Sequence, residues 1–195
     1  MNEGLSAQEF KSLQDKLLCT VPLYNWSELR NNRRLLPRSP GVYGWFFKRI
    51  PADVPTESCF TRGEATLLYV GISPHNEKSK ATLQSRLRLH FKGTAESSTL
   101  RQTLGCLLEK NLGTVLRRNC PGSKTFGEKE SALSQWMADN AMVAWLEMQK
   151  PWTFEEYLLK SVSLPLNING NDHHPFCTEL KKRRKNALQR ATKMG

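Results

Sequence analysis

Four residues in the first half of the chain carry groups that can hold an anion or move a proton, and each sits in a local pattern that would aim it. Tyr43 lies within Gly41-Val42-Tyr43-Gly44-Trp45-Phe46-Phe47, and Tyr69 within Leu67-Leu68-Tyr69-Val70-Gly71-Ile72. Arg86 and His90 follow in Leu83-Gln84-Ser85-Arg86-Leu87-Arg88-Leu89-His90-Phe91. They are four residues apart, so on a helix both project from one face. Leu83, Leu87 and Phe91 make the adjoining apolar stripe, which must pack on something, and the two strand-like runs are the natural partner. Arg86 and His90 then stand at the edge of a packed interface, whereas Arg88 points away from it. Two phenols, an imidazole and a guanidinium gathered at one edge suggest a site.

Residues 41–47 are rich in aromatic and β-branched types and read as a strand, as do residues 66–72, ended by Ser73-Pro74. Between them, residues 48–65 hold Pro51, Pro55 and Gly63 and read as a long hairpin loop. The helix of about 81–92 closes on Lys92-Gly93, and another over 98–112 closes on Gly113. Val115 to Arg118 reads as a short strand, 119–127 as a loop, Glu128 to about Asp139 as a helix, and Ala141 to Leu146 as a buried strand. Pro151-Trp152-Thr153 breaks that strand before a helix over 154–162, a turn over 164–170 and a basic helix over about 178–193.

Upstream, Ser6-Ala7-Gln8-Glu9 is a capping box opening an amphipathic helix over 7–19. Residues 21–40 read as irregular and carry Arg30, Arg33, Arg34 and Arg38, which could touch phosphate or face water. The expected class is α/β (α+β): a small central, mostly antiparallel mixed sheet flanked by helices, with helical additions at both ends. The expected division is an N-terminal helix and connector over 1–39, a central domain over 40–170 and a basic helical extension over 171–195, in one globular unit.

With 195 residues, 38% of them apolar and 24% charged, the chain has an ordinary globular composition. The formal net charge is +11 and the pI about 9.6. Lys181, Lys182, Arg183, Arg184, Lys185, Arg190 and Lys193 fall in the last fifteen residues, which hold no acid. A polyanion partner follows from that imbalance, through counterion release and steering. Arg88, Lys92, Lys181, Lys182, Arg183, Arg184 and Lys185 are the candidate nucleic-acid contacts. No apolar run is long enough to span a membrane, and no secretory layout opens the chain. Five cysteines without a CxxC favour reduced thiols in the cytoplasm. His173-His174 lacks further ligands at the spacing a tetrahedral zinc site needs.

The residues resemble the GIY-YIG nuclease superfamily. Gly41-Val42-Tyr43 and Tyr69-Val70-Gly71 match its two signatures with Val in place of the usual Ile. Arg86 falls where the family has its essential arginine, and His90 where many members have a histidine one turn later. Glu155, Leu158-Leu159, Pro165 and Asn167 match the C-terminal pattern, so the likeness covers about residues 40–170. It implies an endonuclease that uses one Mg²⁺ or Mn²⁺, held by Glu155 and waters, to hydrolyse DNA to 5′-phosphate and 3′-hydroxyl ends. It also implies that Arg86 holds the scissile phosphate, that Tyr43 takes the proton from water, and that Asn167 fixes the site by hydrogen bonding. Tyr43 would be favoured as a base by nearby positive charge or pass its proton on to Tyr69 or His90, and Tyr69 would orient the water or phosphate.

Glu156 competes with Glu155 for the metal. Thr153 and Glu156 are in capping-box register, and Glu156 precedes Lys160 by four, so Glu156 has structural work to do. Glu155 has none and is the expected ligand. The alternatives are a nucleic-acid-binding module that kept the fold without catalysis, and an interaction protein whose basic tail binds an acidic partner.

Overall fold

The computed structural model describes residues 5–119 and 122–193; Cys120 lies outside them. In chain order the elements are helix α1 (Ala7–Asp15), continued by a π turn (Lys16–Thr20), strand β1 (Tyr24–Asn25) and helix α2 (Trp26–Asn31). After a 3₁₀ turn (Arg33–Leu35) come β2 (Gly41–Phe47), β3 (Thr61–Arg62), β4 (Ala65–Ser73) and helices α3 (Leu83–Lys92), α4 (Thr99–Leu107) and α5 (Glu109–Leu112). Then follow β5 (Arg117–Arg118), β6 (Lys124–Thr125), α6 (Lys129–Asn140), β7 (Ala141–Glu147), α7 (Trp152–Ser161) and α8 (Cys177–Lys193).

The two tyrosine-bearing runs pair with each other. The main sheet has the order β1-β7-β2-β4-β3, and each pairing is antiparallel. Every residue of β2 is buried, as befits the central strand of a sheet covered on both faces. Its side chains alternate: Tyr43, Trp45 and Phe47 enter one core, Val42 and Phe46 the other. Each fully buried aromatic of this strand is worth about 1.5–3 kcal/mol over an exposed one.

Opposite Trp45 and Phe46 the register slips by one residue, and Leu68 is the residue left over. Beyond this bulge Tyr69 falls opposite Trp45, and Gly71 opposite Tyr43. Both tyrosines therefore face the same side. That side is closed by α3, α4, α6 and α8, through Leu83, Leu87, Phe91, Leu100, Leu104, Leu133 and Leu180. The other is closed by the α1 end and α7, through Leu17, Leu18, Phe154 and Leu158.

Three local expectations are corrected. Residues 21–40 are not wholly irregular: β1 pairs with the outer edge of β7, and α2 starts from a capping box of Asn25 and Glu28. The strand expected over 115–118 is confined to 117–118. It pairs with β6, formed inside the expected loop, as a separate two-stranded ribbon. Helix α7 begins at Trp152 with Pro151 as N-cap and no side-chain cap, so Thr153 and Glu156 form no capping box. Proline's fixed φ suits a helix start and lets the helix begin before Thr153 can cap it.

Candidate active site

Two glycines let the strands approach one another and α3 closely. A Cβ on Gly41 would stand 2.6 Å from Leu83 Cδ1 and collide with the Leu146 carbonyl. On Gly71 it would lie 2.5 Å from Tyr43 Oη and 2.8 Å from Cζ. The glycine after Tyr69 is thus the bed on which the phenol of Tyr43 lies.

Helix α3 delivers Arg86 and His90 to that phenol. His90 Nε2 is 2.7 Å from Tyr43 Oη, and Arg86 Nε donates to the same oxygen at 3.3 Å. Arg86 Nη1 donates to the Ser97 carbonyl at 3.1 Å, which fixes the guanidinium plane. His90 Nδ1 is 2.7 Å from Ser98 Oγ. Ser98 is the N-cap of α4, and its Oγ already accepts from the Arg101 amide at 3.1 Å. Its hydroxyl has a hydrogen to give and a second lone pair to share, so Nδ1 can accept from it or donate to it, and in the first case Nε2 carries the ring proton and donates to Tyr43. With the ring proton on Nε2, Tyr43 Oη receives two N–H bonds and keeps its own proton for the pocket; with it on Nδ1, the phenol donates to Nε2.

Behind His90, the wholly buried Arg101 ties three helices together. Its Nη1 donates to the carbonyls of His90 (3.3 Å) and Phe91 (3.0 Å) and to Ser134 Oγ (3.1 Å). Its Nη2 reaches Glu130 Oε2 at 2.7 Å and the Glu130 carbonyl at 3.0 Å. Two of the carbonyls that end α3, those of His90 and Phe91, are satisfied by this one side chain. Sequence reasoning missed both Ser98 and Arg101.

On the open side lies a pocket of about 220 Å³ lined by Tyr43, Tyr69, Arg86, Glu155 and Asn167, joined by His75 and Thr99. Five of the six expected catalytic residues line it; His90 stands behind Tyr43. His75 and Thr99 are also new, and the signal for His75 was its place just past the end of a site-bearing strand.

Asn167 does not face a substrate with its amide. Its Oδ1 accepts from Val70 N and its Nδ2 donates to Val70 O, both at 2.9 Å, on the outer edge of β4. Leu166 N donates to Leu68 O at 3.0 Å alongside. The segment around 166–167 thus completes the edge of the strand that carries Tyr69 and positions it.

Glu155, part-buried on the first turn of α7, has no side-chain hydrogen bond or ion pair among the described residues. Burial, then the neighbouring Glu156, pushes its carboxyl up to about 7 against the pull of Arg86. Glu156 is exposed and lines a separate hollow beside Phe10 and Tyr157, and forms no ion pair with Lys160 among the described residues. Burial also drives the Tyr43 phenol far up, helped by Tyr69 and opposed by Arg86. Tyr69 is raised by burial and lowered by Arg86. Burial, then Arg86 and Arg101, holds His90 well below its ordinary value, so the imidazole is neutral.

A divalent cation suits Glu155, a secluded carboxylate in need of a counter-charge. No cluster of three or more His, Cys, Asp or Glu surrounds it among the described residues. An ion there would take its remaining ligands from water and phosphate, the habit of Mg²⁺.

The expected nucleic-acid contacts divide. On α8, Lys181 pairs with Asp172, and Arg183 with Glu179 (2.8 Å) and Asp53 (3.1 Å). Arg184 is part-buried and bonds Gln102 Oε1 at 2.7 Å and Thr103 Oγ1 at 3.5 Å. Lys182 and Lys185 are exposed and have no partner of this kind among the described residues. On α3, Arg88 is exposed, and Lys92 lies 5.2 Å over the Trp26 ring.

An antiparallel sheet bearing two tyrosines on one face, with an arginine from the next helix and a lone carboxylate at its edge, defines a class of catalytic domain. The model of the GIY-YIG catalytic domain matches residues 41–186, and the chain belongs to the GIY-YIG nuclease superfamily. No curated protein and no solved structure matches it significantly. No helix of the described residues is long and apolar enough to cross a membrane.

Proposed function

We propose that the protein is a divalent-metal-dependent endonuclease that hydrolyses DNA phosphodiester bonds, leaving 5′-phosphate and 3′-hydroxyl ends. The observation that carries this reading is the convergence of Tyr43, Tyr69, Arg86 and the unpartnered Glu155 on one small pocket. Binding alone would not need that set.

In this mechanism Arg86 holds a non-bridging oxygen of the scissile phosphate while keeping its bond to Tyr43. Tyr43 works as the phenolate. Its pocket-facing proton leaves to solvent, and the oxygen then takes a proton from the attacking water as that water's oxygen bonds to phosphorus, while the 3′-oxygen departs and takes its proton from solvent. Burial opposes the phenolate; the N–H bonds from His90 Nε2 and Arg86 Nε favour it. His90 serves as a neutral donor rather than a resting place for the proton, since a second positive charge beside Arg86 and Arg101 is disfavoured. Tyr69 lines the same wall and orients the water or the phosphate. Glu155 would hold Mg²⁺ or Mn²⁺, which supplies charge neutralisation at the phosphate and the leaving oxygen.

The test is incubation of plasmid and single-stranded DNA with Mg²⁺ or Mn²⁺. Wild type should cut, while Tyr43→Phe, Arg86→Ala and Glu155→Ala should bind and lose at least about 10²-fold in rate. Undiminished cutting by Glu155→Ala overturns the metal assignment, and a wild type that cuts no substrate overturns the enzyme reading.

A further inference from the structure

Most of the arginines of the basic terminal helix are engaged within the protein, so the charge that faces outward must be sought elsewhere. A hollow of about 270 Å³ lies between α2, the 3₁₀ turn and the outer side of α3. Arg30, Arg33, Arg88 and Lys92 line it with Trp26, and the remaining lining residues, Leu29 and Leu36, are apolar. None of its lining side chains is acidic, and none of the four cations has an ion-pair partner among the described residues. All four are exposed.

Apart from Lys92, which lies over the Trp26 ring in the last turn of α3, these cations have no stabilising partner among the described residues. Arg88 and Lys92 are like charges four apart on one helix, which disfavours the helix. Arg30 comes to the same hollow from α2 and Arg33 from the 3₁₀ turn, adding repulsion that a bound anion would relieve. The floor is firm. Trp26 packs on Phe91 with ring centroids 4.6 Å apart and holds Lys92 over its own ring, so the tryptophan serves as a platform for the cation rather than a free stacking surface for a base. Arg30 and Lys92 also reach a wider neighbouring groove, where Glu130 is held by Arg101 and Asp139 by Gln135.

Position links the hollow to the catalytic pocket. Arg88 follows Arg86 by two residues, which places it on nearly the opposite side of α3. An α-helix with its side chains is about 10 Å across, and one strand of DNA rises about 3.4 Å per nucleotide. A strand held at Arg86 can pass round half of α3, about 16 Å, in roughly five nucleotides at that rise.

We propose that this hollow is a phosphate-binding site for the backbone of the nucleic-acid substrate, a few nucleotides from the bond held at Arg86. It rests on the nuclease reading above and adds to it a second, sequence-independent contact. The groups are suited to phosphate rather than to base edges, so the contact would fix register without reading sequence.

The experiment measures affinity for a labelled duplex in EDTA, where nothing is cut, over a range of salt concentrations. It compares wild type with the double variants Arg30→Ala/Arg33→Ala and Arg30→Lys/Arg33→Lys, each checked for an unchanged melting temperature. The alanine pair should flatten the slope of log K against log salt by about 1 to 2 and weaken binding on the order of tenfold at low salt, and the lysine pair should restore most of the slope. An unchanged slope in the folded alanine variant overturns the proposal. So does a rise in melting temperature with inorganic phosphate that the alanine variant loses while its duplex slope stays intact, because the hollow would then serve free anions. A wild type that binds steeply but never cuts sinks the nuclease reading, and a flattened slope in the alanine variant would still support the hollow. Cutting with an unchanged slope sinks the hollow alone.

Discussion

At the scale of single residues, Glu155 gives the plainest pH dependence. Its carboxyl rises from an ordinary 4.5 to about 7 in the fold, so the folded protein binds that proton more tightly than the unfolded chain does. Metal-free stability is therefore fullest below about 4.5 and falls as the pH rises toward about 7, by about 1–2 kcal/mol once partial exposure is allowed for. Urea melts at pH 4.5, 6 and 8 should show that decline in wild type and not in Glu155→Gln, and the idea is wrong if both fall alike. Ser98 makes a second case. Ser98→Ala removes the N-cap of α4, at about 1 kcal/mol, and frees His90 to move its proton to Nδ1. Cleavage should fall roughly tenfold, as for loss of one aimed donor in part, and imidazole nitrogen shifts should report the tautomer change. Ser98→Thr should restore both, and wild-type rates in the alanine variant would refute the assignment.

At the scale of elements, the parts that were legible are those whose partners are near in sequence or enforced by period. Strands β2 and β4 and helix α3 follow from aromatic runs, glycines and a repeat of Leu83, Leu87 and Phe91, and these bring Tyr43 and Arg86 to one side. Arg101 was not legible: an arginine among the leucines of α4 looks like a solvent face, and its partners Glu130 and Ser134 arrive on α6 through tertiary packing. Glu155 over Glu156 was argued from a capping box that does not form; what separates them is which side of α7 turns toward β4. The bulge in β4 has no signature in Leu67-Leu68-Tyr69, yet it sets the facing of Tyr69. Arg101→Met would leave the last carbonyls of α3 and the Glu130 carboxylate without their partner, at about 3–5 kcal/mol. Thermal melting should show that loss, and a change within about 0.5 kcal/mol, the usual range for a surface site, would mean that the three helices are held together by other contacts.

At the scale of the whole molecule, charge and sheet edge tell connected stories. The net charge of +11 suggested a polyanion, but sequence could not say which cations are available to one. That depends on Asp53, Glu109 and Asp172 reaching the basic helix in the folded state, beside its own Glu179. The edge of β4 has a different consequence. An uncovered strand edge is a template on which another chain can pair, and natural sheets normally hide such edges under further structure. In the proposed mechanism a phosphate backbone comes to the pocket that Tyr69 lines, where a whole added strand would crowd it. Asn167 answers both demands, closing the N–H and C=O of Val70 within the width of one side chain. The protein can leave its reactive border open to a polymer of nucleotides while denying that border to a polymer of amino acids.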